Sequence, residues 1–130
     1  MMQETKNKIQ SFRDLYAWQE AYKLSLEIYK ITKNFPKEEL FGLVSQIRRA
    51  IVSVASNIAE GFSRHSIKEK IQFYYTALGS LTEVRNQLDL SKGIGNLSEN
   101  DYGKLEEQSI ITDKLLHGLL KKCRSFIPNT

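Results

Sequence analysis

The chain has 130 residues, 41% of them hydrophobic and 26% charged, with only 7 glycines and 2 prolines. That length carries one hydrophobic core rather than two, and so few turn residues exclude a disordered tail, a collagen-like repeat and a loop-rich β protein. Nineteen Lys and Arg against fifteen Asp and Glu leave a formal charge of +4, and the single cysteine, Cys123, cannot close an internal disulfide.

Met1 to Phe12 is polar and lacks the apolar core of a signal peptide. A first helix is predicted from Arg13 to Lys33. Leu15, Trp18, Tyr22, Ser25 and Tyr29 recur on one face at spacings of three and four, beside a second stripe of Ala17, Ala21, Leu24, Ile28 and Ile31. Pro36 pushes Phe35 out of the helical region and ends that segment. A second helix follows from Glu38 to Phe62, with Leu40, Leu43, Ile47, Ile51, Val54 and Ile58 in register. Gln46, Arg48, Arg49, Asn57 and Glu60 interrupt its apolar character, so it is no membrane span. The expected location is the cytoplasm.

Gly61 and the Ser63 to Ser66 stretch make the next break. Ser66 and Glu69 have capping-box spacing at the start of a third helix, which carries Ile67, Ile71, Tyr74, Leu78, Leu81 and Leu88. Gly93, Gly95 and Asn96 end it, since glycine takes the positive φ that a helix terminus needs. A fourth helix starts after Ser98, with Asp101 three residues on, and bears Tyr102, Leu105, Leu116, Leu119, Cys123 and Phe126. No stretch of useful length shows the period-two alternation of a strand. Four such helices joined by loops of about three to five residues run antiparallel. The predicted fold is all-α, an up-down-up-down antiparallel four-helix bundle over residues 12–126, with a flexible N-terminal segment 1–11 and a C-terminal tail 127–130.

Two polar patterns stand out against this frame. Gln46, Arg49, Ser53, Asn57, Glu60 and Arg64 form a stripe along the second helix, and Thr76, Glu83 and Gln87 form a sparser one on the third. Both stripes read either as solvated faces or as interhelical hydrogen-bonding surfaces. Their Ser, Asn and Gln content suits the second use, with Asn57–Glu83 or Arg49–Glu83 contacts fixing helix register. Catalysis and metal binding find no support. Glu60 and Glu83 lack the Glu-x-x-His pattern of a di-iron bundle, and Asp113 with His117 reads as a surface pair. Cys123 sits on an apolar stripe, and Gly93-Ile94-Gly95 lacks the strand and lysine of a phosphate loop. No cofactor, no metal and no enzymatic activity are expected.

Basic charge is polarised. In this topology the first helix begins at the end where the fourth finishes. Lys6, Lys8, Arg13, Lys121, Lys122 and Arg124 are thereby placed at one pole, with Arg64, His65, Lys68 and Lys70 of the second loop. A phosphate backbone suits such a pole, although +4 is also an ordinary charge for a domain of this size. Arg13, Arg64, Lys68, Lys70, Lys121, Lys122 and Arg124 are the candidate nucleic-acid contacts. The first helix also carries more apolar surface than one bundle buries. Trp18, Tyr22 and Tyr29, with Tyr74 and Tyr75 of the third helix, are therefore the candidate oligomer interface. The alternative function is a structural or adaptor protein that meets another protein, with its charge incidental.

Several local runs resemble one family. Leu15-Tyr16-Ala17-Trp18-Gln19, Phe35-Pro36, Phe41-Gly42-Leu43, Gln46-Ile47-Arg48-Arg49-Ala50 and Asn57-Ile58-Ala59-Glu60-Gly61 are similar to bacterial four helix bundle proteins encoded by intervening sequences in large-subunit ribosomal RNA genes. Arg64, Phe73, Gly79-Ser80-Leu81, Glu83 and Gln87-Leu88 extend the likeness over residues 12–125. The resemblance implies a homopentamer. It extends to the accessory protein of diversity-generating retroelements, which implies binding of RNA or DNA and a protein partner such as a reverse transcriptase, without catalysis.

Overall fold

Two of the four helices, and the 3-10 turn that precedes the first, start where a serine side chain takes up a free backbone N–H group. The structure, a computed structural model, describes residues 8–127; the start of the expected N-terminal segment, Lys6 and the end of the tail lie outside the described residues. Ser11 Oγ accepts from the Arg13 N–H at 3.1 Å, and the Asp14 carboxylate accepts from the N–H groups of Gln10 and Ser11. These bonds close a 3-10 turn over Phe12–Asp14, after which Leu15 is extended (φ −77°, ψ 127°). Helix α1 therefore runs Tyr16–Thr32, one turn shorter than its periodicity predicts.

The second helix departs further from expectation. A 3-10 turn at Lys37–Glu39 leads into a wide π turn at Leu40–Val44, where Gly42 leaves helical geometry (φ −113°, ψ −105°). Regular helix α2 spans only Ser45–Ser63. The kink leaves Phe41 standing 93% exposed.

Helix α3, Ile67–Ile94, opens on Ser66, whose Oγ accepts from the Glu69 N–H at 3.3 Å. It closes on Gly95, held at φ +97°, a left-handed conformation that an L side chain would strain. Helix α4, Glu99–Arg124, opens on Ser98, whose Oγ accepts from the Asp101 N–H at 3.0 Å. The capping signals at Ser66 and Ser98 thus act as the sequence predicts.

Each helix packs against its neighbours in chain order, and α4 returns against α1, closing the up-down-up-down bundle. Leu24 and Ile28 of α1 meet Ile47, Ile51, Val54 and Ile58 of α2, with Leu81, Val84 and Leu88 of α3 and Leu105, Leu116 and Leu120 of α4 completing a fully buried core. In α4 the inner stripe also contains Ser109 and Thr112. Their hydroxyls donate to the carbonyls of Leu105 and Gln108, so neither brings an unpaired polar group inside. Phe126, expected on the inner stripe, is 65% exposed because it lies past the end of α4.

The α2–α3 corner is the tightest place in the fold. A Cβ on Gly61 would fall 2.7 Å from Tyr74 Cε1 and 3.0 Å from Phe73 Cβ. Tyr74, expected at an oligomer interface, is instead a core residue, 2% exposed. The missing side chain at Gly61 opens the slot its ring occupies. Gly61→Ala should therefore lose about 1–2 kcal/mol of stability in urea unfolding, because overpacking exceeds the gain in helix propensity. Gly79→Ala, with open space around its new methyl group, should gain about 0.5–1 kcal/mol.

Two tyrosines make alkaline stability a second check. Burial pushes the Tyr74 hydroxyl from 10.0 up to about 12. The short bond that Tyr102 donates to Asp89, 2.6 Å long, does the same for Tyr102. Raised folded-state values mean the native chain holds these protons when the unfolded chain has lost them. Stability should be level below about pH 10 and fall as pH rises from about 10 to 12, read from urea midpoints. Absorbance at alkaline pH should show two tyrosines ionising late.

Candidate nucleic-acid interface and interhelical groove

Antiparallel topology gathers the start of α1, the α2–α3 turn and the end of α4 at one pole. Residues 8–14, 60–70 and 121–127 together carry eight Lys and Arg against three acids. At the opposite end, residues 33–45 and 90–101 carry three against four. Convergence at the basic pole is visible at Cys123: burial pushes its thiol up, while the charges of Lys70, Lys122 and Arg124 act the other way. Cys123 is thus a buried, protonated thiol.

The cations of this pole divide into two groups. Arg64 donates to Glu60 at 2.6 Å, lies 3.7 Å from Glu69, and covers the Phe73 ring at 4.8 Å. Lys70 donates to the Phe62 carbonyl at 2.7 Å and to that of Gly61 at 3.3 Å, capping the C-terminus of α2. Arg124 donates to the Tyr75 hydroxyl at 2.7 Å, and Arg13 bonds Ser11. Lys68, Lys121 and Lys122 are exposed, and their ammonium groups make no hydrogen bond or ion pair among the described residues. Beside them an apolar cleft of about 250 Å³ runs between Leu15 and Ala17 on one side and Leu115 and Leu119 of α4 on the other, rimmed by Lys114 and Lys122.

The polar stripe occupies a second place. Gln46, Arg49 and Ser53 of α2 face Ser80 and Glu83 of α3 across an open groove of about 440 Å³, with Phe41 and Ser45 at its upper end. The direct bridge is a hydrogen bond between the hydroxyls of Ser53 and Ser80, 2.8 Å long. Asn57 donates to the carbonyl and hydroxyl of Ser53 on its own helix. Neither expected contact, Asn57–Glu83 or Arg49–Glu83, forms among the described residues, because the serine pair already closes the seam. Glu60 turns away to Arg64. Gln87, 4% exposed, donates weakly to Gln46 and Glu83 at 3.5 Å, and its Oε1 has no partner.

The aromatic candidates for an interface are largely used inside the chain. Trp18 stacks on Tyr22 at 5.1 Å and meets Phe12 edge-on at the same distance. Tyr29 lies under the Arg48 guanidinium, which also donates to Thr32 Oγ1 at 3.0 Å and so joins α2 to α1. Tyr22 and Tyr75 remain about half exposed. The surface residue that sequence reasoning missed is Phe41. It lies off the stripe of Leu40, Ile47, Ile51 and Ile58, and the kinked turn at Gly42 holds it out in solvent.

Asp113 and His117 approach to 3.6 Å on the surface of α4. Among the described residues no group of three or more His, Cys, Asp and Glu is arranged to hold a metal, and no helix is long and apolar enough to cross a membrane.

An all-α bundle with a basic pole and a polar interhelical groove defines the class. The chain belongs to the 23S rRNA-intervening sequence protein family, whose model matches residues 13–118. It is also similar to the crystal structure of a protein of unknown function from the S23 ribosomal protein family of Bacteroides thetaiotaomicron. The TM-score is 0.75 at 23% identity, covering 81% of this chain and 95% of that one. That likeness shows the fold. No curated protein matches the chain.

If the serine bridge fixes the α2–α3 seam, Ser53→Ala and Ser80→Ala should couple. A double-mutant cycle in urea should give an interaction of about 0.5–1.5 kcal/mol; strictly additive losses would remove the bridge as a seam contact.

Proposed function

We infer that this chain is a non-enzymatic, homo-oligomeric bundle, a pentamer by family likeness, that binds RNA or DNA through its basic pole. The observation that carries the reading is the separation of charge, eight cations against three acids at one end and three against four at the other. Lys68, Lys121 and Lys122 supply the mobile part of the surface, since no partner among the described residues holds them. Flexible ammonium groups of this kind neutralise phosphates without base specificity. Arg64 and Lys70 act through position: by closing the α2–α3 turn they hold Lys68 in place. Repetition by self-association multiplies the pole without any further substitution, and membership of a family tied to ribosomal RNA genes supports the reading.

Labelled RNA titrated at increasing salt tests it. Binding should be saturable at about 50 mM salt and weaken steeply toward about 200 mM as counterions are no longer released. Lys121→Gln, Lys122→Gln and Arg124→Gln combined should leave helicity unchanged and lower the log–log salt slope by about 2, since each lost phosphate contact removes about 0.7–0.9. Absence of binding at low salt, or an unchanged slope in the triple variant, overturns the assignment of the pole.

A further inference from the structure

The apolar cleft between the start of α1 and α4 stays open although a single side chain would close it. Its volume is about 250 Å³, and Ile9 and Tyr16 join Leu15, Ala17, Leu115 and Leu119 in its walls. Gly118 lines it too, and a Cβ built there meets nothing within 4 Å. A larger residue at 118 would occupy the cleft and favour the helix, so glycine keeps the space clear at a cost to α4. Lys114 and Lys122 stand at the rim, eight residues and about 12 Å apart along that helix. Both are exposed, and their ammonium groups make no hydrogen bond or ion pair among the described residues. Asp14, the acid of the lining, commits its Oδ2 to the N–H groups of Gln10 and Ser11. The cleft is apolar within and cationic on both sides of its mouth.

We propose that this cleft seats an unpaired base, so that the pole grips a single strand of RNA or DNA by more than its phosphates. The inference rests on the nucleic-acid reading of the pole and deepens it by naming the form of the strand. Ammonium groups need only phosphates and gain nothing from a leucine-lined notch between them. The faces of its bases are the broad apolar surface a nucleic acid owns, and stacking hides them inside a duplex. A single strand can turn one base out and leave its phosphates outside, on Lys114 to one side and Lys122 to the other. Lys122 belongs to the rim and to the pole alike, so a strand that follows the pole passes over the cleft. Size agrees: about 250 Å³ is less than the ~300–1,000 Å³ of pockets that enclose drug-sized molecules, and it suits one flat ring system. An anionic lipid chain also matches an apolar notch, yet its single head group uses only one of the two lysines.

Titration of the full chain against three labelled probes tests the cleft, with far-ultraviolet circular dichroism confirming the fold of the variant. The probes are an unstructured RNA strand, a strand of the same length built with stable abasic spacers, and an RNA duplex. Wild type should bind the intact strand about tenfold tighter than the abasic one, the scale of a single base stacked on a protein. Gly118→Leu fills the cleft and changes no charge. It should erase that tenfold difference, while its affinity for the duplex and the abasic strand, and the salt dependence of every probe, match wild type. No binding of any probe at about 50 mM salt removes the nucleic-acid reading and the base seat together. Equal affinity of wild type for intact and abasic strands, or a difference that survives Gly118→Leu, keeps the pole and rejects the cleft. A variant that weakens all three probes equally rejects it too, since the substitution then acts on the pole as a whole.

Discussion

Everything in this bundle is referred to one close approach, that of α2 to α3 at Gly61. With no side chain there, the Tyr74 ring fills the corner, 2% exposed. The turn joining the two helices is thereby held to three residues. The same ring lies near the Cys123 thiol, so the end of α4 meets the corner as well. A looser corner leaves the core stripes of Ile51, Val54 and Ile58 facing Leu81 and Val84 at the wrong height. It also separates Lys68 from Lys121 and Lys122. Fold and charge geometry share a single packing constraint.

The charge at that pole is not a product of helix dipoles. The C-termini of α2 and α4 and the N-termini of α1 and α3 all end there, so their partial charges oppose one another and largely cancel. Lys70 neutralises carbonyls at the end of α2. What remains is carried by side chains with no intramolecular task. Surface ammonium groups of this kind add little to stability, and Lys68, Lys121 and Lys122 make no contact that the fold requires. Packing does not account for their placement at one end.

The sequence carried the architecture with little loss. Aliphatic spacing in α2 and α3, the serines at positions 66 and 98 and the glycine at 95 each act locally, and local physics is readable one residue at a time. Three features were not legible. Leu15 breaks the first helix because Ser11 and Asp14 satisfy each other's backbone neighbours, a reciprocal arrangement that periodicity does not register. The kink at Gly42 lifts Leu40, 49% exposed, off the inner stripe where its spacing places it. Tyr74 belongs to the core rather than to an interface because of an absent side chain on another helix, and no property of residue 74 reveals that. Of the polar stripe, Gln46, Arg49 and Ser53 line the α2–α3 groove while Glu60 turns to Arg64, and the contact across the seam is not one the sequence predicts. A hydroxyl pair of short reach, Ser53 with Ser80, closes the seam before the longer Asn57 and Arg49 can meet Glu83.

The groove and the pole occupy different parts of the molecule, and that separation matters physically. Phe41 lies at the end of the bundle away from Lys121 and Lys122, and the groove runs along one side. None of the residues that line the groove is a cation of the pole, so whatever occupies one place leaves the other open.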